Sequence, residues 1–267
     1  MRGVVAVTGG SSGIGKAIAN RFAEKGWRVY ELSRSGSDSE GICHITADVT
    51  DEQSLQAAFA DIARQEGQLD VLVCNAGFGI SGAIECTALA DAQKQLDVNF
   101  FGTVRTIQAA LPYMRKNQKK KNGRAHIVNI SSMGGPMALP FQAFYSCSKA
   151  AINTLTMALA NELRPFDISV CAVMPGDVKT GFTAAREKNQ SGSELYGGII
   201  EKSVSTMEKD EQNGMSPDRI ARKVYAMAQK KHPKPLCTVG LSYKLIAFLA
   251  KVLPASVINR LIGMIYC

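Results

Sequence analysis

The sequence lacks several features that would each point to a specialised class of protein. Its three histidines lie far apart, and no two cysteines form a CxxC pair. The seven cysteines are Cys43, Cys74, Cys86, Cys147, Cys171, Cys237 and Cys267. An odd, scattered set of thiols is typical of reduced cysteines in a cytosolic protein. We therefore expect a cytoplasmic protein that has neither a disulfide framework nor a bound metal.

Long apolar runs and C-terminal acidic residues are also missing. No uncharged stretch approaches the roughly 20 apolar residues of a spanning helix, and the first predicted strand begins at Gly3, so we expect no signal peptide. Residues 219–267 carry nine lysines or arginines and no acid, and this segment accounts for the net charge of +8. Because these cations are not interleaved with aromatic or base-reading side chains, we expect no nucleic-acid partner.

Apolar strands alternate with amphipathic helices along most of the chain. Strands are predicted in residues 3–10, 27–33, 41–49, 69–77, 124–131 and 167–176, with a strand-like stretch at 235–240. Helices are predicted in residues 14–26, 51–65, 89–116 and 145–163, and a surface loop at 117–123. This order is typical of βαβ units with helices on both faces of a parallel sheet. We predict one doubly wound, Rossmann-type α/β domain over residues 1–240 and an amphipathic helical extension over 241–267.

The turn after the first predicted strand, TGGSSGIGKAI, is rich in glycine. Glycines let a backbone approach a phosphate, and the following helix offers free N–H groups. Residues 10–16 fit the GxxxxGK motif of a P-loop, but Ala17 stands where that motif needs Ser or Thr to hold magnesium. The spacing of Gly9, Gly13 and Gly15 suits a dinucleotide instead. An ordinary structural turn remains a third alternative.

The end of the second predicted strand, VYELSRSGS, bears on which dinucleotide would bind. An NAD-binding protein places a carboxylate at this strand end to accept a hydrogen bond from the ribose 2′-hydroxyl. Here Ser33 and Arg34 occupy that place. A guanidinium would pair with a 2′-phosphate, and Ser11 or Ser12 would add a hydrogen bond. Although Glu31 is a counter-argument, it lies two residues earlier within the strand, and the sequence favours NADP(H) over NAD(H).

Five motifs in order carry a resemblance to a known family. They are TGGSSGIG, NAG at 75–77, a serine that closes the fifth strand, YxxxK at Tyr145 and Lys149, and PGxVxT from Pro175. With them, residues 3 to about 240 resemble the short-chain dehydrogenase/reductase family. The resemblance implies an NADP(H)-dependent oxidoreductase that reduces a ketone or aldehyde to an alcohol, or the reverse. We also expect a homo-oligomer, either a dimer or a tetramer.

The resemblance implies that Tyr145 is the general acid. Residues four apart share a helix face, so Lys149 can approach the phenol, and in the family this lysine also binds the nicotinamide ribose. An ammonium about 4 Å away is worth roughly 4 kcal/mol at an effective dielectric of about 20, or up to about three pKa units. We therefore expect Lys149 to lower the pKa of Tyr145 towards neutrality.

Two further polar residues have implied catalytic roles. Ser131 and Ser132 point to opposite faces of their strand, and the family spacing before the tyrosine selects Ser132 to hold the substrate oxygen, with Ser131 as the alternative. Asn99 matches the family's helix asparagine, which anchors a water in a proton relay towards the lysine. The alternative for Asn99 is a polar residue that only distorts its helix.

The remaining implied residues are cofactor contacts. We expect 48–49 at the adenine, 75–77 on the adenosine side and 175–180 at the nicotinamide. The full set is Gly9, Ser11, Ser12, Gly13, Ile14, Gly15, Ser33, Arg34, Asp48, Val49, Asn75, Ala76, Gly77, Tyr145, Lys149, Pro175, Gly176, Val178 and Thr180.

The C-terminal part of the chain bears on the substrate. Residues 180–215 are polar and then helical, as suits a lid over a substrate pocket. The extension beyond has two apolar stripes at helical spacing, with Lys244 and Lys251 on another face. It would roof a lipophilic site, form an oligomer interface, lie on an anionic membrane surface or pack in the core. We expect a small, hydrophobic substrate such as a steroid or lipid ketone, with a 3-oxoacyl thioester on acyl carrier protein as the alternative.

Overall fold

Nine strands form two sheets in the computed structural model, which describes residues 2–115, 125–189 and 191–267. The strands are β1 (Val4–Thr8), β2 (Arg28–Ser33), β3 (Ile42–Thr46), β4 (Val71–Cys74), β5 (Ile80–Ser81), β6 (Ala125–Ile130), β7 (Ile168–Met174), β8 (Glu187–Lys188) and β9 (Leu236–Thr238). The large sheet is parallel throughout, in the order β3-β2-β1-β4-β6-β7-β9. The predicted loop at 117–123 lies outside the described residues.

The helices connect these strands and cover both faces of the large sheet. They are α1 (Gly13–Glu24), α2 (Glu52–Glu66), α3 (Leu89–Leu96), α4 (Gly102–Met114), α5 (Ala143–Glu162), α6 (Phe182–Ala185), α7 (Ile199–Gln212), α8 (Pro217–Ala228), α9 (Leu241–Val252) and α10 (Ala255–Tyr266). Short 3₁₀ turns occupy Ile84–Cys86, Arg164–Phe166 and Ser193–Tyr196. The predicted doubly wound α/β fold is confirmed.

The period-2 geometry of β1 divides the core into two layers. Val4 and Ala6 pack in a cluster with apolar residues of α2 and α4, whereas Val5 and Val7 pack in a second cluster with residues of α1 and α8. All four side chains are buried, because successive residues of a strand point to opposite faces and each face is covered by helices. This packing explains why the strand is apolar throughout and does not alternate with polar residues.

The order of the strands determines where a ligand can bind. The chain starts near the middle of the sheet at β1, moves outward to β3, and then returns to build the other half from β4. In open α/β sheets, the point where the strand order reverses leaves a crevice outside the carboxyl ends of the strands. The crevice of this protein therefore lies beyond the ends of β1 and β4.

The helix predicted over residues 89–116 is interrupted. The structure has α3, then a π-helical turn at Asp97–Phe101, and then α4. Asn99 lies in the π turn and is fully buried. Turns of this kind are frequent at functional sites, and no feature of the hydrophobic pattern distinguishes them from a regular helix.

The chain ends in two helices that fold back towards α7. Pro254 separates α9 from α10, and the Nζ of Lys202 on α7 donates a hydrogen bond of 3.1 Å to the carbonyl of Cys267. In the described parts of the chain, no helix has both the length and the apolar character needed to cross a bilayer.

Candidate active site

A cleft of about 1560 Å³ lies at the carboxyl ends of the strands. Its walls come from the glycine-rich turn, the ends of β2, β4 and β6, the start of α5, the segment after β7, and α9 and α10. Every predicted site residue lines this cleft except Gly15 and Asn99. The fold therefore brings together residues that are more than 160 positions apart in the chain.

The glycine-rich turn is held in a shape that only glycine permits at its key positions. Gly9 and Gly13 have φ angles of +64° and +52°. A Cβ on Gly15 would lie 2.2 Å from the carbonyl oxygen of Gly9, so Gly15 allows α1 to pack against the turn and does not contact the cleft. The exposed start of α1 has Ser12 as its N-cap and no acidic residue in its first turn. This arrangement fits an anionic pyrophosphate, which a helix N-terminus stabilises.

Asn75 braces the same turn from β4. Its Nδ2 donates to the carbonyls of Thr8 (3.0 Å) and Gly9 (3.1 Å), and its backbone N–H donates to the hydroxyl of Thr8 (3.0 Å). The sequence predicted Asn75 as a cofactor contact, and the bracing role was missed. In the segment after β7, the Cβ of Thr180 lies 3.6 Å from the Cβ position of Gly13, so Thr180 adjoins the turn.

The end of β2 presents a cation to the cleft and turns its carboxylate away. Arg34 is exposed and lines the cleft, whereas Glu31 is buried outside it, with its Oε2 2.5 Å from the Nδ1 of His44. Burial of Asp48 opposes ionisation, but hydrogen bonds from the backbone and hydroxyl of Thr50 and the charge of Arg34 outweigh it and lower the pKa of Asp48. The carboxylate that counted against NADP(H) therefore has a partner elsewhere.

The structure places Ser132, rather than Ser131, beside Tyr145. A Cβ on Gly134 would lie 3.4 Å from the Tyr145 ring and 3.5 Å from the hydroxyl of Ser132, and this hydroxyl accepts a hydrogen bond from the backbone N–H of Gly134 at 3.0 Å. The hydroxyl of Ser131 points the other way and donates to the carbonyl of Lys149 at 3.1 Å. The opposite orientation of neighbouring strand residues produces this division.

The expected lowering of the pKa of Tyr145 by Lys149 is wrong for this structure. Burial raises the pKa of Tyr145, and burial also lowers the pKa of Lys149 to about 8. The Nζ of Lys149 donates to the carbonyl of Ile130 at 2.9 Å and lies 5.7 Å from the centre of the Tyr145 ring. Removal from water sets both shifts, because desolvation disfavours the charged form of each group. The phenol is protonated at neutral pH.

The pKa of Lys149 predicts a pH dependence for proton donation by Tyr145. The cationic form of Lys149 stabilises the phenolate that forms, and this cation is lost as the pH rises through about 8. Because the pKa of Tyr145 is raised above its ordinary value, Tyr145 stays protonated over the same range. We expect kcat/KM for carbonyl reduction to fall about tenfold per pH unit above this midpoint. A Lys149→Gln variant, slower at every pH, should lack this limb, and a wild-type profile that is flat to pH 10 would contradict the assignment.

Asn99 uses its side chain within the protein. Its Oδ1 accepts from the backbone N–H of Phe78 at 3.0 Å, and its Nδ2 donates to the carbonyl of Phe78 (3.0 Å) and the hydroxyl of Ser148 (3.1 Å). Asn99 therefore ties the π turn to the segment after β4 and to α5. A role in anchoring a water for a proton relay stays a prediction.

The segment that carries the implied nicotinamide contacts is clamped by the C-terminal extension. The hydroxyl of Tyr243 on α9 donates to the Oδ2 of Asp177 at 2.5 Å and accepts from the backbone N–H of Asp177 at 3.2 Å. A Cβ on Gly176 would lie 2.2 Å from the Tyr243 ring, so the ring packs directly on the glycine. Sequence reasoning missed Tyr243, because nothing in the pattern of the tail distinguishes it from other aromatic residues.

The region predicted as a lid contributes a ring and a buried ion pair beside Tyr145. The centre of the Phe182 ring lies 5.8 Å from that of Tyr145. Arg186, whose side chain is fully buried, pairs with Glu211 on α7. The charges of Glu211, Arg186 and Asp177 all act on the pKa of Tyr145. Sequence reasoning missed this charged set too, since it depends on the fold of the segment after β7.

The chemistry of the site follows from these placements. A phenol that keeps its proton faces a cleft beside a hydroxyl and a lysine, and the same cleft contains a phosphate-binding turn. The glycine turn and the phenol need different ligands, one anionic and one with a proton-accepting oxygen. Fold and site together define an oxidoreductase that uses a dinucleotide.

Comparison with known proteins agrees with this class. A family profile described as short chain dehydrogenase matches residues 3–191. A 3-ketodihydrosphingosine reductase from Bacteroides thetaiotaomicron is 40% identical over 240 residues, which cover 89% of this chain and 87% of that protein. A solved structure of aldohexose dehydrogenase from Thermoplasma acidophilum matches with a TM-score of 0.74 at 31% identity, over 90% of this chain and 94% of that one.

A further solved structure shows the fold alone. It is a 3-ketoacyl-(acyl-carrier-protein) reductase from Brucella melitensis complexed with NADH, with a TM-score of 0.75 at 24% identity, over 90% of this chain and 96% of that one.

The chain belongs to the short-chain dehydrogenase/reductase family. It is therefore an oxidoreductase with a fold that binds a nicotinamide dinucleotide, and the P-loop alternative is excluded.

Proposed function

We propose that the protein reduces the ketone of a long-chain lipid to an alcohol with NADPH. The observation that carries the proposal is the placement of Tyr145, Ser132 and Lys149 in one cleft with the glycine-rich turn, where burial keeps the phenol of Tyr145 protonated. A protonated phenol is the form that donates to a carbonyl oxygen, whereas alcohol oxidation would need the phenolate as a base. The raised pKa of Tyr145 therefore favours reduction at neutral pH.

Each group of the site has one task in this reaction. When bound, a reduced nicotinamide would supply the hydride for the carbonyl carbon. Ser132 donates a hydrogen bond to the carbonyl oxygen and holds it against Tyr145, which transfers its proton to that oxygen. Lys149, still a cation below pH 8, stabilises the phenolate that remains. The proton donor and the oxygen are brought together before the reaction, so little reorientation is needed.

The cofactor residues support NADPH. Arg34 is the cation at the end of β2, and Ser11 and Ser12 line the cleft near the glycine turn. The 2′-phosphate of NADPH adds charge-assisted hydrogen bonds to a guanidinium, whereas the 2′-hydroxyl of NADH would want a carboxylate at the strand end. Because Glu31 is engaged with His44, it is not available for that contact.

The substrate end of the cleft supports a lipid. Apolar side chains from three parts of the chain line the cleft, and they are Met137, Leu139, Met207, Ile246 and Ile265. A wall of aliphatic and thioether groups suits an alkyl chain, which gains about 0.8 kcal/mol per buried CH₂. The Bacteroides relative is named for a long-chain ketone, 3-ketodihydrosphingosine, and we propose a sphingoid ketone of this kind as the substrate class.

Carboxylates that line the cleft argue against the acyl thioester as the substrate. Asp177 and Asp210 line the cleft, whereas the charge of Glu211 is compensated by Arg186. An acyl carrier protein delivers its thioester on a phosphodiester-linked arm, whose negative charge these carboxylates would repel. A sphingoid ketone carries an amine next to the ketone, and a cationic amine is compatible with carboxylates. The Brucella reductase supports no substrate argument here, since its similarity extends only to the fold.

A substrate panel tests the proposal. Oxidation of NADPH, followed by absorbance, would be measured with 3-ketodihydrosphingosine in mixed micelles, a steroid ketone, and acetoacetyl-coenzyme A. We expect kcat/KM for the sphingoid ketone to exceed that for the thioester by at least about 100-fold, since charge and chain length both discriminate. The Asp210→Asn variant should reduce the ratio of kcat/KM for the sphingoid ketone to kcat/KM for the thioester. Equal or better turnover of the thioester would overturn the proposed substrate class and leave the reaction class intact.

A further inference from the structure

The outer surface of the C-terminal extension is apolar and has no partner in the described chain. On α9, Leu241 and Phe248 are 79% and 60% exposed, and on α10 Met264 is 71% exposed. The exposed large apolar residues of the two helices that do not line the cleft form what we call the tail face, and they are Leu241, Leu245, Phe248, Leu249, Val252, Val257, Leu261 and Met264. Spacing of three, four and seven residues places those of α9 on one stripe.

The tail face does not take part in folding the domain. The opposite side of α9 presents Tyr243 and Ile246 to the cleft, and α10 presents Ile262 and Tyr266 inward. Each helix is therefore apolar on two sides, one that covers the active site and one that faces solvent. A surface helix of a soluble monomer needs only the first, so the second indicates an external apolar partner.

The charges beside the tail face indicate what that partner is. Lys244, Lys251 and Arg260 are exposed, and none of them has a carboxylate partner among the described residues. No acidic residue occurs anywhere after Asp218. A second copy docked through the same face would bring this uncompensated positive charge against itself, because a two-fold interface uses the same patch twice. An anionic lipid surface offers both an apolar layer and negative charge.

We propose that the tail face docks the protein on an anionic membrane surface. The apolar stripes enter the boundary between head groups and acyl chains, and the flanking cations contact lipid phosphates. Ile265 belongs to α10, lines the cleft and is also exposed, so the docked surface adjoins the mouth of the substrate site. A lipid ketone would then move from the bilayer into the cleft with little exposure to water. The proposal deepens the proposed function, but the docking itself does not require it.

Vesicle binding of the full-length protein tests the docking directly. Sedimentation would be compared on phosphatidylcholine vesicles with and without about 30% phosphatidylglycerol, in the absence of any ketone. We expect binding to the anionic vesicles and much weaker binding to the neutral ones. The paired change Lys244→Glu and Lys251→Glu should weaken binding at least about thirtyfold, since each cation contributes roughly fivefold near such a surface.

A matched pair of variants separates docking from general apolar adhesion. Phe248→Glu should abolish sedimentation, whereas Leu89→Glu, which alters a side chain 70% exposed on α3, should bind like the wild type. Both variants should keep the wild-type unfolding temperature and the turnover of a water-soluble ketone, because neither side chain lines the cleft. Equal loss in both variants would overturn the proposal.

The same measurements distinguish membrane docking of the tail face from its use as an interface between two copies of the protein. A wild type that does not sediment with anionic vesicles would overturn the proposal. A dimer that Phe248→Glu splits into monomers, with vesicle binding unaffected, would overturn it in favour of a contact between copies. Because vesicle binding is measured without substrate, failure of the proposed ketone reduction would leave this result standing. Failure of docking would likewise leave the substrate panel standing.

Discussion

Replacement of Tyr145 by phenylalanine is expected to reduce carbonyl turnover by about 100- to 10,000-fold, the usual contribution of a positioned general acid. The substitution removes one oxygen and keeps the ring, so the contact of the ring with Phe182 should persist. Cofactor affinity, measured by NADPH fluorescence, should change by less than about twofold. The loss should appear in kcat, because the proton is transferred only in the transition state.

A second tyrosine provides the control for this loss. Tyr225 lies on α8, packs against Phe22 and accepts a hydrogen bond from Arg2, far from the cleft. Tyr225→Phe should keep wild-type kcat and KM. If Tyr145→Phe retained more than about a tenth of wild-type kcat, the phenol would not be the proton donor, and the proposed mechanism would fail. Ser132→Ala should then also be nearly silent, since its task is to hold the oxygen against that phenol.

Replacement of Arg34 by alanine should weaken the binding of NADPH far more than the binding of NADH. Hydrogen bonds to charged groups contribute about 1.5–3 kcal/mol each, so loss of the guanidinium should raise the Kd for NADPH about 10- to 100-fold. The Kd for NADH should change little, because its 2′-hydroxyl gains nothing from a cation at this position. Both constants can be measured by fluorescence titration of the reduced cofactors.

The control for this variant is another exposed arginine of similar setting. Arg64 lies on α2, pairs with Asp61 and does not line the cleft. Arg64→Ala should leave both cofactor affinities unchanged. Equal weakening of NADPH and NADH in Arg34→Ala would contradict the assignment of the 2′-phosphate to Arg34. A gain in NADPH affinity on removal of the buried Glu31 is not expected, since its carboxylate is turned towards His44.

Much of the fold could be predicted from the sequence because strands and helices each have a characteristic spacing of apolar residues. The strand Val4–Thr8 is apolar at every position because both of its faces are buried, and α2 is bounded by a capping Asp51 and by Gly67 in the left-handed conformation. These signals are local, so they can be interpreted without knowledge of distant contacts. The parallel direction of the strands follows from the alternation with helices, whereas their order in the sheet does not.

The parts that could not be predicted depend on distant contacts or on burial. The π turn at Asn99 is stabilised by hydrogen bonds to Phe78 and Ser148, which are not neighbours in the sequence. The sign of the pKa shift of Tyr145 depends on how much water the fold removes from the phenol and from Lys149, and spacing alone cannot supply that quantity. The sequence could therefore identify the pair but not its electrostatics.

The contact between Tyr243 and the loop at Gly176 also restricts how this chain can be altered. Since the ring occupies the space where any side chain at position 176 would lie, the two positions can vary only in concert. The hydroxyl of Tyr243 is hydrogen-bonded to both the backbone N–H and the carboxylate of Asp177. Truncation of the protein after residue 240 would therefore remove the contacts that hold this wall of the cleft, in addition to the C-terminal helices.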